Sequence, residues 1–292
     1  MSIISAQYGR HYGLGNKLFP WSRAKILSRQ YKIPMVTPLW FSPHGGGITR
    51  GGVDYARALR KVWLFRNFCR SQNEISLIKY LLKYERVPLC KCTRLSEAEQ
   101  ILRNSSSDIH IRFAILGQNE TGHDFVDFKN ESSFLRGELF EAALPSQKTF
   151  INNYLNLDFI GLNVRCGNDF VSRESGEKGF VKTSLQWFIY ALKRIRQDYG
   201  KMPAIVVSDG GLSQLAPLLR EDDVSLLNSP TAIADLLVLT HAKVLLGSGN
   251  SSFSAWASFL GEMDTFTSKD TPFLHNNGLS YGRDGKKILE VI

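Results

Sequence analysis

From residue 159 onward, short β-prone apolar runs alternate with stretches of helical spacing, and no other feature limits the fold as strongly. Phe159–Val164, Ala204–Ser208, Val224–Leu227 and Ala242–Gly247 read as strands. Ser184–Tyr199, with Leu185, Phe188, Ile189, Leu192 and Ile195 on one face, reads as an amphipathic helix, and Leu212–Leu219, Thr231–Thr240 and Ala255–Leu260 read as shorter ones. Such alternation requires parallel strands joined by crossover helices, which is an α/β, doubly wound sheet. Ligands of these sheets collect outside the carboxyl ends of the strands.

The first half opens in the same way. Ile3–Ala6 reads as a strand, Gly9–Asn16 as a glycine-punctuated loop, Lys17–Tyr31 as a helix with Leu18, Trp21, Ile26 and Leu27 on one side, and Lys32–Thr37 as a second strand. A strand, a glycine-rich turn and a helix present backbone N–H groups to an anion. The spacing is not the dinucleotide fingerprint, and the glycines serve equally well for positive φ. Leu39–Gly52 is a loop whose Pro43–Gly47 segment reads as a lid. Helices are expected at Tyr55–Phe68, Glu74–Lys83, Leu95–Arg103 and Leu135–Ala143, with a strand at Ile109–Leu116 and no usable periodicity over 117–133. A chain of 292 residues suits two domains of roughly 100–150 residues each. Pro145–Lys148 marks the boundary, giving domains 1–147 and 148–292.

The formal charge of +9 points to an anionic partner, and the excess Lys and Arg lie mainly between Arg57 and Arg94. Nucleic acid is not expected, because the basic–aromatic interleaving of the usual modules is missing. The four cysteines have no zinc-ligand or secreted-scaffold spacing, so reduced thiols in a cytoplasmic protein are the expectation. No run approaches the roughly 20 apolar residues of a membrane span, so any membrane contact would be peripheral.

Three polar motifs fall beside strand ends. Arg165 follows Phe159–Val164, and its planar guanidinium can grip a phosphate through two parallel hydrogen bonds or serve merely as a surface ion-pair residue. Gly167 would let backbone approach the bound group. Ser208-Asp209 ends the next strand, and Ser248–Ser254 couples hydroxyls and a glycine to a helix start. Together they read as a nucleotide diphosphate site.

The same residues resemble a known family, the fucosyltransferase superfamily of inverting glycosyltransferases, closest to the bacterial α-1,2-fucosyltransferase-like group. Gly13-Leu-Gly-Asn-Lys-Leu-Phe19 is similar to its Gly-Leu-Gly-Asn-Gln-Met/Leu-Phe loop. Asn163-Val-Arg-Cys-Gly-Asn-Asp-Phe170 is similar to its His-Val-Arg-Arg-Gly-Asp-Tyr motif, and Val207–Gly210 stands where it has Ser-Asp-Asp. Asp235-Leu-Leu-Val-Leu with Asn250–Trp256 resembles its closing segment. The departures are Asn163 for His, Cys166 for the second Arg and Gly210 for the second Asp.

The resemblance implies a GT-B architecture of two Rossmann-like domains facing a cleft, the first on the acceptor side and the second binding a nucleotide sugar. It implies an inverting, metal-independent transfer of fucose from GDP-fucose, with no cofactor, to a glycan or lipid-linked glycan in cell-surface polysaccharide biosynthesis. Arg165 would stabilise the pyrophosphate leaving group, and the chain has no Asp-x-Asp to clamp it through a metal. Asn16 would face the sugar from the opposite domain, with Gly13 and Gly15 in its loop. Asn163, Gly167, Ser208, Asp209, Asp235, Asn250, Ser251, Ser252, Phe253 and Ser254 would line the nucleotide. Inversion needs a group to take the acceptor proton, for which His11, in the glycine loop, is one candidate and Asp169 another. The inner face of a membrane is the compatible location for the basic face. Another nucleotide sugar, or a non-catalytic nucleotide- or glycan-binding module on the same scaffold, remains the alternative.

Overall fold

A computed structural model describes residues 2–7, 13–36, 74–75, 87–114, 125–167, 170–171, 180–249, 251–268 and 289–291. His11, Asp169, Asn250, the 39–52 loop and the helix expected over 55–68 lie outside the described residues.

The first sheet is built from β1 (Ile3–Ala6), β2 (Met35–Val36), β3 (Glu74–Ile75), β4 (Leu89–Cys92) and β5 (His110–Phe113), all parallel, in the order β3-β2-β1-β5-β4. Helix α1 (Leu14–Tyr31) follows β1, and α2 (Leu95–Asn104) joins β4 to β5. The Glu97 carboxylate accepts from the Thr93 and Arg94 amides and so closes the start of α2. Ile4, Met35, Ile111 and Phe113 share one face and pack with Leu18, Trp21 and Ala24 of α1. Two expectations change here. Glu74 and Ile75 are a strand rather than a helix start, and α1 is buried all round rather than on one side, including Lys17, Arg23 and Lys25. A helix wedged between two layers has no solvent face to spend on charge, so its cations must be partnered or strained. Arg23 forms a two-pronged pair with Asp127 at 3.0 Å, and Lys25 pairs with Glu138 at 2.8 Å. No side-chain bond or ion pair with a described residue satisfies Lys17, and burial holds its ammonium down to about 8.

Helices α3 (Ser132–Ala142) and α4 (Pro145–Asn152) connect the halves, and α4 runs across the 147/148 position. Pro145 opens α4 at a place where a missing N–H costs nothing.

The second sheet takes β6 (Ile160–Val164), β9 (Ala204–Ser208), β10 (Val224–Leu226), β11 (Val244–Gly247), β12 (Asp264–Ser268) and β13 (Leu289–Val291); β7 (Phe170–Val171) and β8 (Phe180–Val181) form a separate parallel pair. Helices α5 (Leu185–Tyr199), α6 (Leu212–Leu219), α7 (Ala232–Leu239) and α8 (Ser252–Gly261) fill the crossovers. All strands are parallel and stand in the order β10-β9-β6-β11-β12-β13. Counted by appearance in this sheet, that is the doubly wound order in which winding reverses beside the first strand. The reversal lies between β6 and β11, with Arg165 leaving one strand and Ser248 the other. Gly161 lets α7 press close, since a Cβ there would sit 3.0 Å from both Ala242 Cβ and Leu239 Cδ2.

An aromatic cluster joins the halves. Trp256 of α8 lies 5.1 Å from Phe19 of α1, 4.8 Å from Phe125 and 5.9 Å, stacked, from Phe128, ring centre to ring centre. Trp256 has no solvent exposure, so its removal should cost roughly 3–5 kcal/mol. No described helix is long and apolar enough to cross a membrane.

Candidate functional site

Strand β6 delivers Asn163 and Arg165 to the switch point, and hydrogen bonds from both flanking strands hold them there. The Arg165 amide donates to Ser248 Oγ at 2.9 Å, and the Ser248 amide donates to the Asn163 carbonyl at 2.9 Å, so the turn after β11 is stitched to the end of β6. On the other side, Ser208 Oγ donates to the Val164 carbonyl at 2.6 Å and accepts from the Gly210 amide at 2.9 Å. Asp209 then reaches back. Its carboxylate accepts from the Cys166 amide at 2.7 Å and pairs with Arg165 Nη1 at 3.0 Å. The two charged groups are 21% and 26% exposed, which leaves them open to a ligand yet held in one orientation.

Asn163 is buried. Its amide nitrogen donates to Ser254 Oγ at 2.6 Å and to Ser251 Oγ at 3.4 Å. Ser251 in turn caps α8 by accepting from the Ser254 amide. The polar group at position 163 is therefore spent on fixing the first turn of α8. Gly167 is buried at the end of the described turn.

The first turn of α1 meets that of α8. A Cβ on Gly15 would lie 2.5 Å from Ser252 Oγ and 2.8 Å from the Phe253 amide nitrogen. Gly15 sits inside α1, so glycine is needed there for close approach and not for positive φ. Gly13 caps α1 in extended conformation with no side-chain hydrogen bond, and Asn16 is half-buried in the same turn. Two helix starts thus converge beside Arg165's strand, each carrying unsatisfied N–H groups and roughly half a positive charge.

Of the residues singled out in the sequence, Asn163, Arg165, Ser208, Asp209, Ser251, Ser252 and Ser254 come together, with Gly15 and Phe253 where α1 meets α8. Asp235 stands on a different element. It lies buried in the first turn of α7, where the Ser229 hydroxyl donates to its carboxylate and Thr231 caps the helix. Two residues were missed. Thr183 Oγ1 accepts from the Gly249 amide at 3.2 Å, and burial pushes the pKa of the Cys166 thiol up while the positive charge of Lys182 works against it. Their signal was faint: Lys182-Thr-Ser184 immediately precedes an amphipathic helix, hence a helix start at the carboxyl edge. Among the described residues no group of three His, Cys, Asp or Glu side chains is placed to hold a metal ion. A solvent-open hollow of about 440 Å³ between Lys193, Arg196, Arg220 and Glu221 lies along α5 and the end of α6, away from these motifs.

No family model matches the chain, and no curated protein sequence matches it. Solved structures do. NodZ alpha-1,6-fucosyltransferase soaked with GDP-fucose superposes over 92% of this chain and 96% of its own, at 13% identity and a TM-score of 0.50. The chain has the GT-B fold of that fucosyltransferase. POFUT1 in complex with GDP covers 91% of this chain and 98% of its own at 11% identity and a TM-score of 0.49. A mutant of Arabidopsis thaliana FUT1 in complex with GDP covers 91% and 69% at 10% identity and a TM-score of 0.48. At 13% identity the likeness to NodZ shows the fold alone.

Proposed function

We propose that the chain is a glycosyltransferase of the fucosyltransferase superfamily that transfers fucose from GDP-fucose, with inversion and without a metal, to a hydroxyl of a cell-surface glycan. The observation that carries the proposal is the guanidinium of Arg165, held by Asp209 and by the Ser248 turn at the switch point, beside the converging starts of α1 and α8. Departure of a nucleoside diphosphate builds negative charge, and a fixed cation with preorganised N–H groups stabilises it in a low-dielectric cleft. The GT-B fold shared with a fucosyltransferase whose crystals were soaked with GDP-fucose supports the same donor.

In this reading residues 1–147 form the acceptor side and 148–292 the donor side. Asn16 approaches the sugar from α1, and His11 or Asp169 accepts the proton. Ser208, Asp209, Gly167, Asn250 and the Ser251–Ser254 turn hold the nucleotide. A lipid-linked acceptor at the cytoplasmic face of a membrane would suit the basic stretch between Arg57 and Arg94.

One observation favours a second reading, a donor with a different base. The Asn163 amide nitrogen is committed to Ser251 and Ser254, and Gly210 has no side chain, so neither position offers a base the charged groups of the resembling family. Thermal shifts with GDP, UDP, CMP, ADP and GDP-fucose separate the two, because a ligand of the folded state raises its melting temperature by mass action. A shift specific to GDP and GDP-fucose supports the first reading. A larger shift with another diphosphate selects the second, and no shift with any of them rejects both.

A further inference from the structure

Helix α1 carries three buried cations, two of them paired with carboxylates. Arg23 is held by Asp127 and Lys25 by Glu138, whereas Lys17, 4% exposed, makes no side-chain hydrogen bond or ion pair with a described residue. Its position adds to the cost, because its amide closes the first turn of α1 on the Gly13 carbonyl at 3.3 Å, where the helix dipole opposes a cation. A buried cation without a counter-charge is destabilising, and a cost of this kind is retained where function needs the group. The motif this turn resembles carries a neutral Gln at the same place.

Helix geometry gives the direction of the side chain. Helical side chains lean toward the N-terminus and over residue i−4, so the Lys17 stem runs past Gly13. A Cβ on Gly13 would meet nothing within 4 Å, which leaves the space beside that stem open. Gly15, which faces α8, lies two residues back and about 200° round the helix, so Lys17 is turned away from α8. It shares a side with Trp21, one turn on, which packs against the first sheet. In that sheet β2 and β3 lie on one side of β1, and β5 and β4 on the other, so the winding reverses beside β1, the strand that α1 follows. The carboxyl end of such a reversal is where these sheets collect ligands.

We infer that Lys17 and the open first turn of α1 bind an oxyanion of the acceptor, a phosphate or a carboxylate, at a site separate from the donor's diphosphate. The anion site stands on the residues just named; its assignment to the acceptor rests on the reading of the first domain given above.

Melting temperatures of wild type, Lys17→Met and Lys17→Gln in inorganic phosphate, glucuronate or glucose, at one ionic strength set with chloride and with or without GDP, test it. Phosphate or glucuronate should raise the wild-type melting temperature, glucose should not, and the shift should persist with GDP bound. Both neutral variants should bind the anion roughly 10- to 100-fold more weakly, the loss of one hydrogen bond to a charged group. The anion with the larger shift identifies the acceptor's acidic group. Equal anion shifts in wild type and both variants overturn the inference, as does the absence of any anion shift in wild type, and a shift abolished by GDP overturns the separate site. If GDP gives no shift while the Lys17-dependent anion shift persists, the donor reading falls and the anion site stands.

Discussion

Replacing Gly15 with alanine probes the convergence of α1 and α8 directly. The added methyl would stand 2.5 Å from Ser252 Oγ, which can rotate away, but also 2.8 Å from the Phe253 nitrogen and 2.8 Å from the Ser252 carbonyl carbon, which cannot. Overpacking against backbone costs about 1–3 kcal/mol. Alanine's helix preference over glycine returns at most about 1 kcal/mol, and less in a first turn. The expected net loss is therefore about 1–2 kcal/mol, or roughly 2–4 °C of melting temperature per kcal/mol for a chain of this size. Gly137 is the control. It lies exposed in the middle of α3, a Cβ there would meet nothing within 4 Å, and Gly137→Ala should gain about 1 kcal/mol from propensity alone. Melting curves of both variants, with and without GDP, give the comparison. Gly15→Ala should melt below wild type and bind GDP more weakly, because the α8 turn that Asn163 fixes is displaced. A Gly15→Ala protein as stable as Gly137→Ala, with unchanged GDP affinity, would mean that the helix starts do not meet as described.

Lys17→Met should stabilise the protein at pH 7 by up to roughly 3 kcal/mol, because burial holds the ammonium down to about 8 from 10.5. Between those values the unfolded chain binds the extra proton, so the gain should shrink as pH rises from 8 to 10.5; a gain that stays constant to pH 10.5 would refute it. His110 lies buried with Ser5 Oγ 2.7 Å from Nε2, and burial with the nearby Arg112 charge pushes it down to about 4. Its unfolded form takes up a proton first as pH falls, so stability should drop between pH 6.5 and 4 by up to roughly 3 kcal/mol, and His110→Gln should flatten that part of the pH–melting curve. Gly210→Ala should destabilise by about 1–3 kcal/mol through its clash with Cys166, and Cys166→Gly in the same chain should recover part of the loss; simple additivity of the two would contradict their contact.

The second sheet was legible because its core strands are continuous apolar runs buried on both faces. Ala204–Ser208 and Leu212–Leu219 begin and end where the spacing places them. Strand β12 escaped notice because Asp264-Thr-Phe-Thr-Ser268 is polar in composition. Its threonines are nonetheless buried, and the Thr265 hydroxyl is satisfied by Ser258 and the Met263 carbonyl. Strand β4 escaped for the opposite reason: it is an edge strand with Leu89 exposed, so Cys90-Lys-Cys92 shows no apolar run. Helix α1 was found but misjudged, since its central place between two layers depends on Trp256 and Phe125, which lie far away in sequence. Arg165, Asp209 and the Ser251 turn were legible because each stands at a strand end. Thr183 was not, because what brings it to the turn after β11 is the fold of the segment entering α5 and not a local pattern.

The most direct measurement compares GDP release from GDP-fucose by wild type and Arg165→Ala. With Arg165 stabilising the departing diphosphate, wild type turns over and the variant falls about 10²- to 10³-fold, as when a preorganised donor to a developing negative charge is removed. Release by Arg165→Ala at the wild-type rate would contradict the assignment of that guanidinium to the leaving group.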